Sequence, residues 1–322
     1  MASSDQRFEH RPVMAAEVVE LFATVPAGVV VDATVGGGGH AARLLEARAD
    51  LDLLGLDRDP DALAAAAERL SAYGDRVRLL RSRFGDLERV VAEEMPGGRG
   101  VAGVLLDLGV SSPQLDRPER GFSYRLSGPL DMRMDPSDRL SAADLVNTAD
   151  VDELATLFAA NGEARLARRL ARAVVAARPI ATTAELAEVV ARAVPAAVRR
   201  RGHPARRVFQ ALRIAVNDEL GQLAAVLGPA CQLLVVGGRC VVIAYHSGED
   251  RLVKSAFANL ASGGCTCPPG LPCVCGARPE HRLVFRGSRK PAPAEVAGNP
   301  RAESARLRAV ERVAAPPPEQ VR

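Results

Sequence analysis

The sequence lacks the features that direct a chain into or across a membrane. Its first residues contain no apolar core typical of a secretion signal, and no segment reaches the ~18 uncharged apolar residues of a membrane span. We therefore expect a cytoplasmic protein with no membrane partner. With 322 residues, 48% of them hydrophobic, the chain is long enough for one large domain or two ordinary ones.

Lysine is almost absent, because Lys254 and Lys290 are the only two and arginine supplies the remaining positive charge. Arginine suits bidentate contacts with phosphate, although arginine-rich usage also follows from genome composition. The formal net charge is only +3, so charge alone does not identify a partner. Cysteine is also scarce outside one short segment, since only Cys231 and Cys240 stand alone in apolar surroundings, which agrees with a reducing compartment.

The most informative segment covers residues 29–40. A run of valines ends in Asp32, four glycines follow at positions 36–39, and a helical pattern begins at Ala41. This order predicts a strand, a tight turn and the start of a helix. Glycines let a backbone approach a ligand closely, and the amides that open a helix favour polar or anionic groups. We interpret the segment as a nucleotide-cofactor loop rather than an ordinary turn.

Two further predicted strands end next to residues that suit a nucleoside. The second strand, 51–57, ends in Asp57, about twenty residues beyond the glycines, where an open α/β sheet places a carboxylate for ribose hydroxyls. Asp57 could instead cap the next helix, but Asp59 fills that role better. Phe84 follows the third strand, 77–80, where its ring could lie against an adenine or simply belong to the core.

The fourth predicted strand, 101–106, runs into Asp107 and a loop with Ser111 and Ser112. Strands that alternate with helical patterns form a parallel sheet, so the strand ends share one edge, where ligands bind. We predict a catalytic role for Asp107, Ser111 and Ser112, beside the alternative that Asp107 only holds the cofactor and the serines only cap a turn.

Helical patterns then replace strands, and the sheet resumes with strands at 238–244, 281–285 and 304–313. We predict a discontinuous α/β domain over 1–110 and 214–313, an inserted helical domain over 111–213 and a disordered tail over 314–322. A basic cluster near the end of the insertion suits RNA phosphates, or forms a solvated loop. Its members are Arg199, Arg200, Arg201, Arg206 and Arg207.

Two cofactors fit the glycine loop. Gly36, Gly38 and Ala41 match the dinucleotide pattern, so a nicotinamide-dependent oxidoreductase is one alternative. The polar loop after Asp107 and the domain-sized insertion behind it favour a second interpretation, methyl transfer from S-adenosylmethionine. This cofactor has a single nucleoside, which fits the order of the glycine loop and the strand ends. An RNA-binding protein on a degenerate methyltransferase fold is a third hypothesis.

Several longer motifs resemble the ribosomal RNA small subunit methyltransferase H family, also called MraW. The motifs are residues 32–40, 107–116, 120–123, 128–135, 203–214 and 245–251. The resemblance implies a Rossmann-like class I fold with an inserted helical domain, and S-adenosylmethionine-dependent methylation of the exocyclic N4 amine of a cytidine in the decoding region of 16S ribosomal RNA. Gly248 departs from the leucine that the family usually has there.

The resemblance also implies a set of cofactor-binding residues and a partner. The cofactor residues carried over by motif are Gly38, Gly39, His40, Asp57, Phe84, Asp107 and Gln114. The partner is small-subunit ribosomal RNA, within a small subunit or its precursor, and the enzyme itself is a monomer or a homodimer. The usual loop of amine methyltransferases, an acid or amide followed by prolines, is absent after Asp107.

Four cysteines crowd into one segment that is not general to this family. Cys265, Cys267, Cys273 and Cys275 form two Cys-x-Cys pairs with glycine, proline and threonine neighbours. This spacing suits a tetrahedral zinc knuckle, although the gap within each pair is shorter than usual. The alternative is a loop with reduced thiols, and methyl transfer itself requires no metal.

Overall fold

The computed structural model describes residues 12–95, 100–195, 203–268 and 274–313. The chain divides into two compact units. The first contains the described residues up to Gly109 and from Gln222 onward, and the second contains Val110–Gly221. The tail predicted over 314–322 lies outside the described residues.

The first unit alternates strands and helices, as predicted. Its elements in chain order are α1 Ala15–Phe22, β1 Gly28–Asp32, α2 Gly39–Ala47, β2 Leu51–Asp57, α3 Pro60–Leu70, β3 Val77–Arg81, α4 Leu87–Glu94 and β4 Val101–Asp107. The chain returns to this unit within the first turn of α11 Glu219–Gln232, and β5 Leu234–Ala244, α12 Ser247–Ser262, β6 His281–Leu283, α13 Pro293–Gly298 and β7 Arg306–Arg312 follow.

These strands form a seven-stranded sheet in the order β3-β2-β1-β4-β5-β7-β6. The first five strands pair in parallel, whereas β7 runs antiparallel to both β5 and β6. β4 and β5 are neighbours in the sheet although the whole second unit lies between them in sequence. The predicted Rossmann-like fold, with one sheet built from both ends of the chain, is confirmed.

Successive side chains of a strand point to opposite faces of the sheet, and helices cover both faces here. On one face, Val31 and Val104 belong to a core shared with α4, α11 and α12. On the other, Val30 and Leu105 pack with α1 and α2. Burial on both faces explains why β1 and β4, in the middle of the sheet, are apolar until they reach their terminal aspartates, whereas β2 and β3 carry Asp52 and Arg78.

The second unit consists of helices, and its described elements include α5 Ser112–Asp116, α6 Ala142–Thr148, α7 Val151–Phe158, α8 Ala167–Ala176, α9 Thr183–Ala193 and α10 Ala205–Asn217. Its core is formed by apolar side chains from α6 to α10, among them Phe158, Leu170 and Leu212. Thr182 accepts the Glu185 amide and so caps α9.

The boundaries between the units differ from the predicted ones, mainly at the second crossing. We predicted a return to the first domain at residue 214, whereas the second unit continues to Gly221. The reason is that α10 buries Val208, Leu212 and Val216 in the helical core. Asn217 at its end also donates to the carbonyl of Met132. Among the described residues, no helix is both long and apolar enough to cross a membrane.

Candidate active site

The glycine loop between β1 and α2 needs its glycines for backbone reasons. Gly36 and Gly38 have φ values of 51° and 75°, in the left-handed region that favours glycine. A β carbon on Gly38 would also lie 3.2 Å from the Leu70 side chain. The loop is closed by the Gly38 amide, which donates to the Val35 carbonyl over 2.8 Å. α2 therefore begins immediately after a tight turn, with its first amides at the carboxyl edge of the sheet.

Asp57 is tied directly to this loop. One carboxylate oxygen accepts the Gly36 amide at 2.9 Å, and the other accepts the Asp59 amide at the same distance. Burial raises the pKa of Asp57, while these two amides oppose the rise. Asp59, as expected, caps α3 by accepting the Asp61 amide. The Asp57 carboxylate is therefore fixed in orientation at the end of β2, with lone pairs remaining for further donors.

Asp107, at the end of β4, connects three parts of the first unit. Its amide donates to the hydroxyl of Thr34 over 2.7 Å, which joins β4 to the glycine loop. Its Oδ1 accepts the Tyr245 hydroxyl at 2.8 Å. Burial and the Asp107 charge raise the pKa of Tyr245 well above its usual value, so the phenol stays protonated and remains a donor. The second oxygen, Oδ2, lies 3.4 Å from His40 Nε2.

His40 is a buried histidine in the first turn of α2. Its Nε2 lies beside Asp107 Oδ2, whereas its Nδ1 has no hydrogen-bond partner within the described chain. Burial lowers the pKa of His40, but the carboxylates of Asp107 and Asp32 outweigh burial and the net pKa is raised. A buried ring nitrogen without a partner, next to a glycine loop, is typical of a ligand site.

Asp32, at the end of β1, was not among the predicted site residues. It is buried, and burial raises its pKa to about 7 despite the opposing charge of His40 and the Thr34 amide. Its Oδ1 accepts that amide at 3.2 Å. The sequence carried a usable signal, because β1, β2 and β4 all end in aspartate. Tyr245 was also missed as a site residue, since its contact with Asp107 joins positions that are distant in sequence.

The segment after β5 is held by a carboxylate. Glu249 Oε2 accepts the amides of Tyr245 and His246 at 2.7 and 3.1 Å. His246 in turn caps α12, because its Nδ1 accepts the Gly248 amide at 3.2 Å. Gly248, the departure from the family pattern, therefore lies within the first turn of α12. These bonds place the Tyr245 ring where it contacts Asp107.

The remaining predicted residues lie against the core of the first unit or in the second unit. Phe84 lies in a short turn after β3, where it is half-buried against the core. Ser111, Ser112 and Gln114 belong to the second unit, where the Ser111 amide donates to Gln114 Oε1 at 3.0 Å at the start of α5. The structure thus gives Ser111 and Gln114 capping contacts, and their functional roles stay predictions.

The basic cluster is described only in part. Arg199, Arg200 and Arg201 lie outside the described residues. Arg206 is exposed on α10, and Arg207 contacts Glu163 with an N–O distance of 3.1 Å. Near the start of α10, the ring of His203 stacks on that of Tyr124 with centroids 4.5 Å apart. The second unit therefore offers a cation and a stacked aromatic pair on neighbouring residues.

The cysteine segment brings three of its four thiols together. The sulfur atoms of Cys265, Cys267 and Cys275 all lie within 4.8 Å of one another. Cys273, the fourth predicted ligand, lies outside the described residues.

Comparison with known proteins identifies close relatives. The sequence model of the MraW methylase family matches residues 7–313. A ribosomal RNA small subunit methyltransferase H from Heliobacterium modesticaldum is 48% identical over 312 residues, with 95% of this chain and 99% of the relative covered. Proteins of the same name from Symbiobacterium thermophilum and Geobacter sulfurreducens are each 51% identical, over 94% and 95% of this chain and 96% and 99% of the relatives.

Proposed function

The chain belongs to the MraW methylase family, and on this basis we propose that it methylates small-subunit ribosomal RNA. The proposed reaction transfers a methyl group from S-adenosylmethionine to the exocyclic N4 amine of a cytidine in the decoding region of 16S ribosomal RNA. Family membership does not favour the nicotinamide oxidoreductase or the RNA-binding protein without catalysis. The proposed substrate agrees with the expected cytoplasmic location.

The observation that carries the proposal is the arrangement at the carboxyl edge of the first unit, where β1, β2 and β4 bring Asp32, Asp57 and Asp107 to one glycine loop. S-adenosylmethionine would supply a methyl group on a sulfonium, together with a ribose, an adenine and a charged amino acid end. The residues fit these parts. Gly38 and Gly39 open α2 and offer its first backbone amides to the polar end of the cofactor, and Asp57 offers acceptors for the ribose.

His40 and Phe84 complete the proposed cofactor site within the first unit. His40 Nδ1 lacks a polar partner in the described chain, and the amino acid end of the cofactor would supply one. The half-buried ring of Phe84 offers an apolar surface for the adenine. For Gln114 in the second unit, the proposal rests on the family motif alone.

Asp107 is the group that we propose to act on the amine. The lone pair of a cytosine amine is delocalised into the ring, so the site must orient the nitrogen and accept its hydrogen bonds as it becomes tetrahedral. Tyr245 engages Asp107 Oδ1 and thereby fixes the carboxylate plane. Oδ2 is then the oxygen that accepts a hydrogen bond from the amine. We propose supporting roles for Ser111 and Ser112 at the start of α5.

The second unit is the proposed contact for RNA. Arg206 and Arg207 supply positive charge, and the Tyr124–His203 pair supplies a flat surface beside it. Such groups suit phosphate contacts and base stacking. The substrate is the ribosomal RNA, free or in a small subunit or its precursor.

The test uses small subunits that lack the modification, labelled cofactor and mass spectrometry of the nucleosides after digestion. We expect incorporation of one methyl group at N4 of a cytidine. Asp107→Ala should lower turnover and raise the Michaelis constant for the cofactor, whereas Ser112→Ala should mainly slow turnover. Asp52→Ala, an exposed acid on β2, serves as the control.

Two results would contradict the proposal. A folded protein that binds RNA but shows no heat of binding with S-adenosylmethionine would be an RNA-binding protein on this fold. If both Asp107→Ala and Ser112→Ala kept wild-type turnover at saturating cofactor and RNA, residues 107–112 would not be catalytic. The segment that contains His246 would then be the next candidate.

A further inference from the structure

The cysteine segment between α12 and β6 has a geometry that the proposed methyl transfer does not use. Cys265 and Cys275 lie ten positions apart in sequence, yet their sulfur atoms are 3.6 Å apart. Cys267 Sγ lies within 4.8 Å of both. The cluster consists of three residues that differ in exposure, from half-buried to exposed, and it lies at the surface of the first unit.

The two described ends of this segment cross closely. α12 ends at Ser262, and Gly263 forms its left-handed cap, with a φ of 62° and an amide that donates a hydrogen bond to the Leu260 carbonyl. A β carbon on Gly263 would lie 2.6 Å from the backbone of Arg278 and Pro279, so only glycine allows the crossing. The Cys265 amide then donates to the Ser262 carbonyl over 3.2 Å. The backbone thus holds Cys265 close to the returning chain that carries Cys275.

Apolar burial does not account for this convergence. No described residue from 263 to 268 or from 274 to 280 is buried. Val274 is 90% exposed, although it is flanked by the cluster. Segments without a core of their own are usually held by a disulfide or a metal ion, since few apolar contacts offset the entropy of ordering them.

The sulfur positions match the requirement of a tetrahedral ion. Two thiolates bound to one zinc at ~2.3 Å and at the tetrahedral angle lie ~3.8 Å apart. The observed Cys265–Cys275 separation of 3.6 Å is close to this value, and the wider limit of 4.8 Å for the set requires only a small contraction. We infer that Cys265, Cys267 and Cys275 bind one structural zinc ion, completed by a fourth ligand from solvent or from elsewhere in the chain.

The backbone also supports a thiolate in this cluster. The Val274 amide points at Cys267 Sγ over 3.4 Å, as amides in metal knuckles do for bound sulfur. On binding, each of the three thiols gives its proton to solvent, and its sulfur donates an electron pair to the ion. Neither sulfur nor metal changes oxidation state, so the step needs no further reactant.

The cluster lies away from the proposed active site. α12 has 16 residues, and its first turn is capped by His246 beside Tyr245, whereas the cysteines follow its last turn. At ~1.5 Å per residue, the helix separates the two by about 24 Å. The ion is therefore structural: it fixes the described residues 263–268 against 274–280, and it takes no part in methyl transfer.

The experiment measures metal in the full-length protein, purified under reducing conditions without chelator. We expect about one zinc per chain by elemental analysis, and sulfur ligands at ~2.3 Å by X-ray absorption. Cys265→Ser, Cys267→Ser and Cys275→Ser should each lose the zinc. Cys240→Ala, which removes a buried thiol on β5, is the matched control and should keep it.

A second measurement does not depend on variants. Cobalt(II) added to metal-depleted wild-type protein should produce the absorption of thiolate-bound tetrahedral cobalt, and hydrogen exchange at residues 264–268 and 274–280 should slow when zinc is restored. Absence of zinc with a mapped Cys265–Cys275 disulfide would overturn the inference, as would iron or copper in place of zinc. Methyltransferase activity is not needed for either readout, so failure here is distinct from failure of the proposed function.

Discussion

Asp32 makes the stability of the protein depend on pH. Its folded pKa is about 7, because burial disfavours its charge, against an ordinary value of 3.8. Between these values the folded chain holds a proton that the unfolded chain has released, so the free energy of unfolding falls as pH rises. From pH 5 to pH 8 this loss is on the order of 3 kcal/mol.

Asp32→Asn should remove this dependence, because the amide does not ionise. We expect the melting temperature of the variant, relative to wild type, to rise steadily from pH 5 to pH 8 in protein without added cofactor. Asp52→Asn, exposed on β2, should follow wild type at every pH. A constant difference between Asp32→Asn and wild type across this range would show that Asp32 is ionised throughout.

Asp57→Ala should weaken S-adenosylmethionine binding by about 1 to 3 kcal/mol, since the ribose would lose a charge-assisted acceptor. Titration calorimetry measures this directly, with circular dichroism as the check on folding. The loss of the contact with Gly36 adds to the effect, because that bond also holds the glycine loop. Unchanged affinity in a folded variant would remove Asp57 from the site.

Tyr245 is proposed as a positioning residue, because it contacts Asp107 rather than the reacting atoms. Tyr245→Phe keeps the ring and removes the donor to Asp107 Oδ1. We expect turnover to fall about tenfold or more, the effect of a lost bond to a charged group, with little change in the Michaelis constant for RNA. Tyr73→Phe, which loses a bond to the Ala42 carbonyl, is the matched control. Equal turnover of the two variants would leave Tyr245 a structural role only.

At the scale of elements, periodicity and strand ends were readable from sequence, and long-range contacts were not. The strands that end in Asp57 and Asp107 were predictable because the residues just before these aspartates, 53–56 and 101–106, are buried apolar runs. The contact between Tyr245 and Asp107 depends on β5 pairing with β4 across the inserted unit, which no local pattern reports. The C-terminal boundary of the second unit was predicted too early, because the apolar pattern of α10 does not show which core the helix packs against.

The proposed contact between α10 and RNA can be tested at Arg206. Arg206→Ala should reduce the slope of log binding constant against log salt by about 0.7 to 0.9, the contribution of one phosphate contact. Arg192→Ala on α9, an exposed arginine paired with Glu188, is the control and should leave the slope unchanged. An unchanged slope in Arg206→Ala would assign this side chain to the solvated surface. Cofactor affinity should be the same in both variants.

In the molecule as a whole, the last described strand completes the sheet of the first unit. β7 pairs with both β5 and β6, and Leu307 on β7 is fully buried. Leu307→Ala should lower the free energy of unfolding by about 2 to 5 kcal/mol through lost burial and a cavity. Urea denaturation measures the change. Leu283→Ala on β6, 40% exposed, removes the same atoms and should cost far less; similar losses would indicate that β7 does not close the core.

The interruption of the sheet by the second unit has a consequence for synthesis on the ribosome. β4 ends at Asp107 and its neighbour β5 begins at Leu234. At about 5 to 20 residues per second, a nascent chain carries the apolar β4 without that neighbour for on the order of ten seconds. The contiguous segment Val110–Gly221 is finished within this interval and can fold first. Nascent chains therefore expose the edge of β4 that later pairs with β5, although its other edge can already pair with β1, and this interval is when chaperones should bind them.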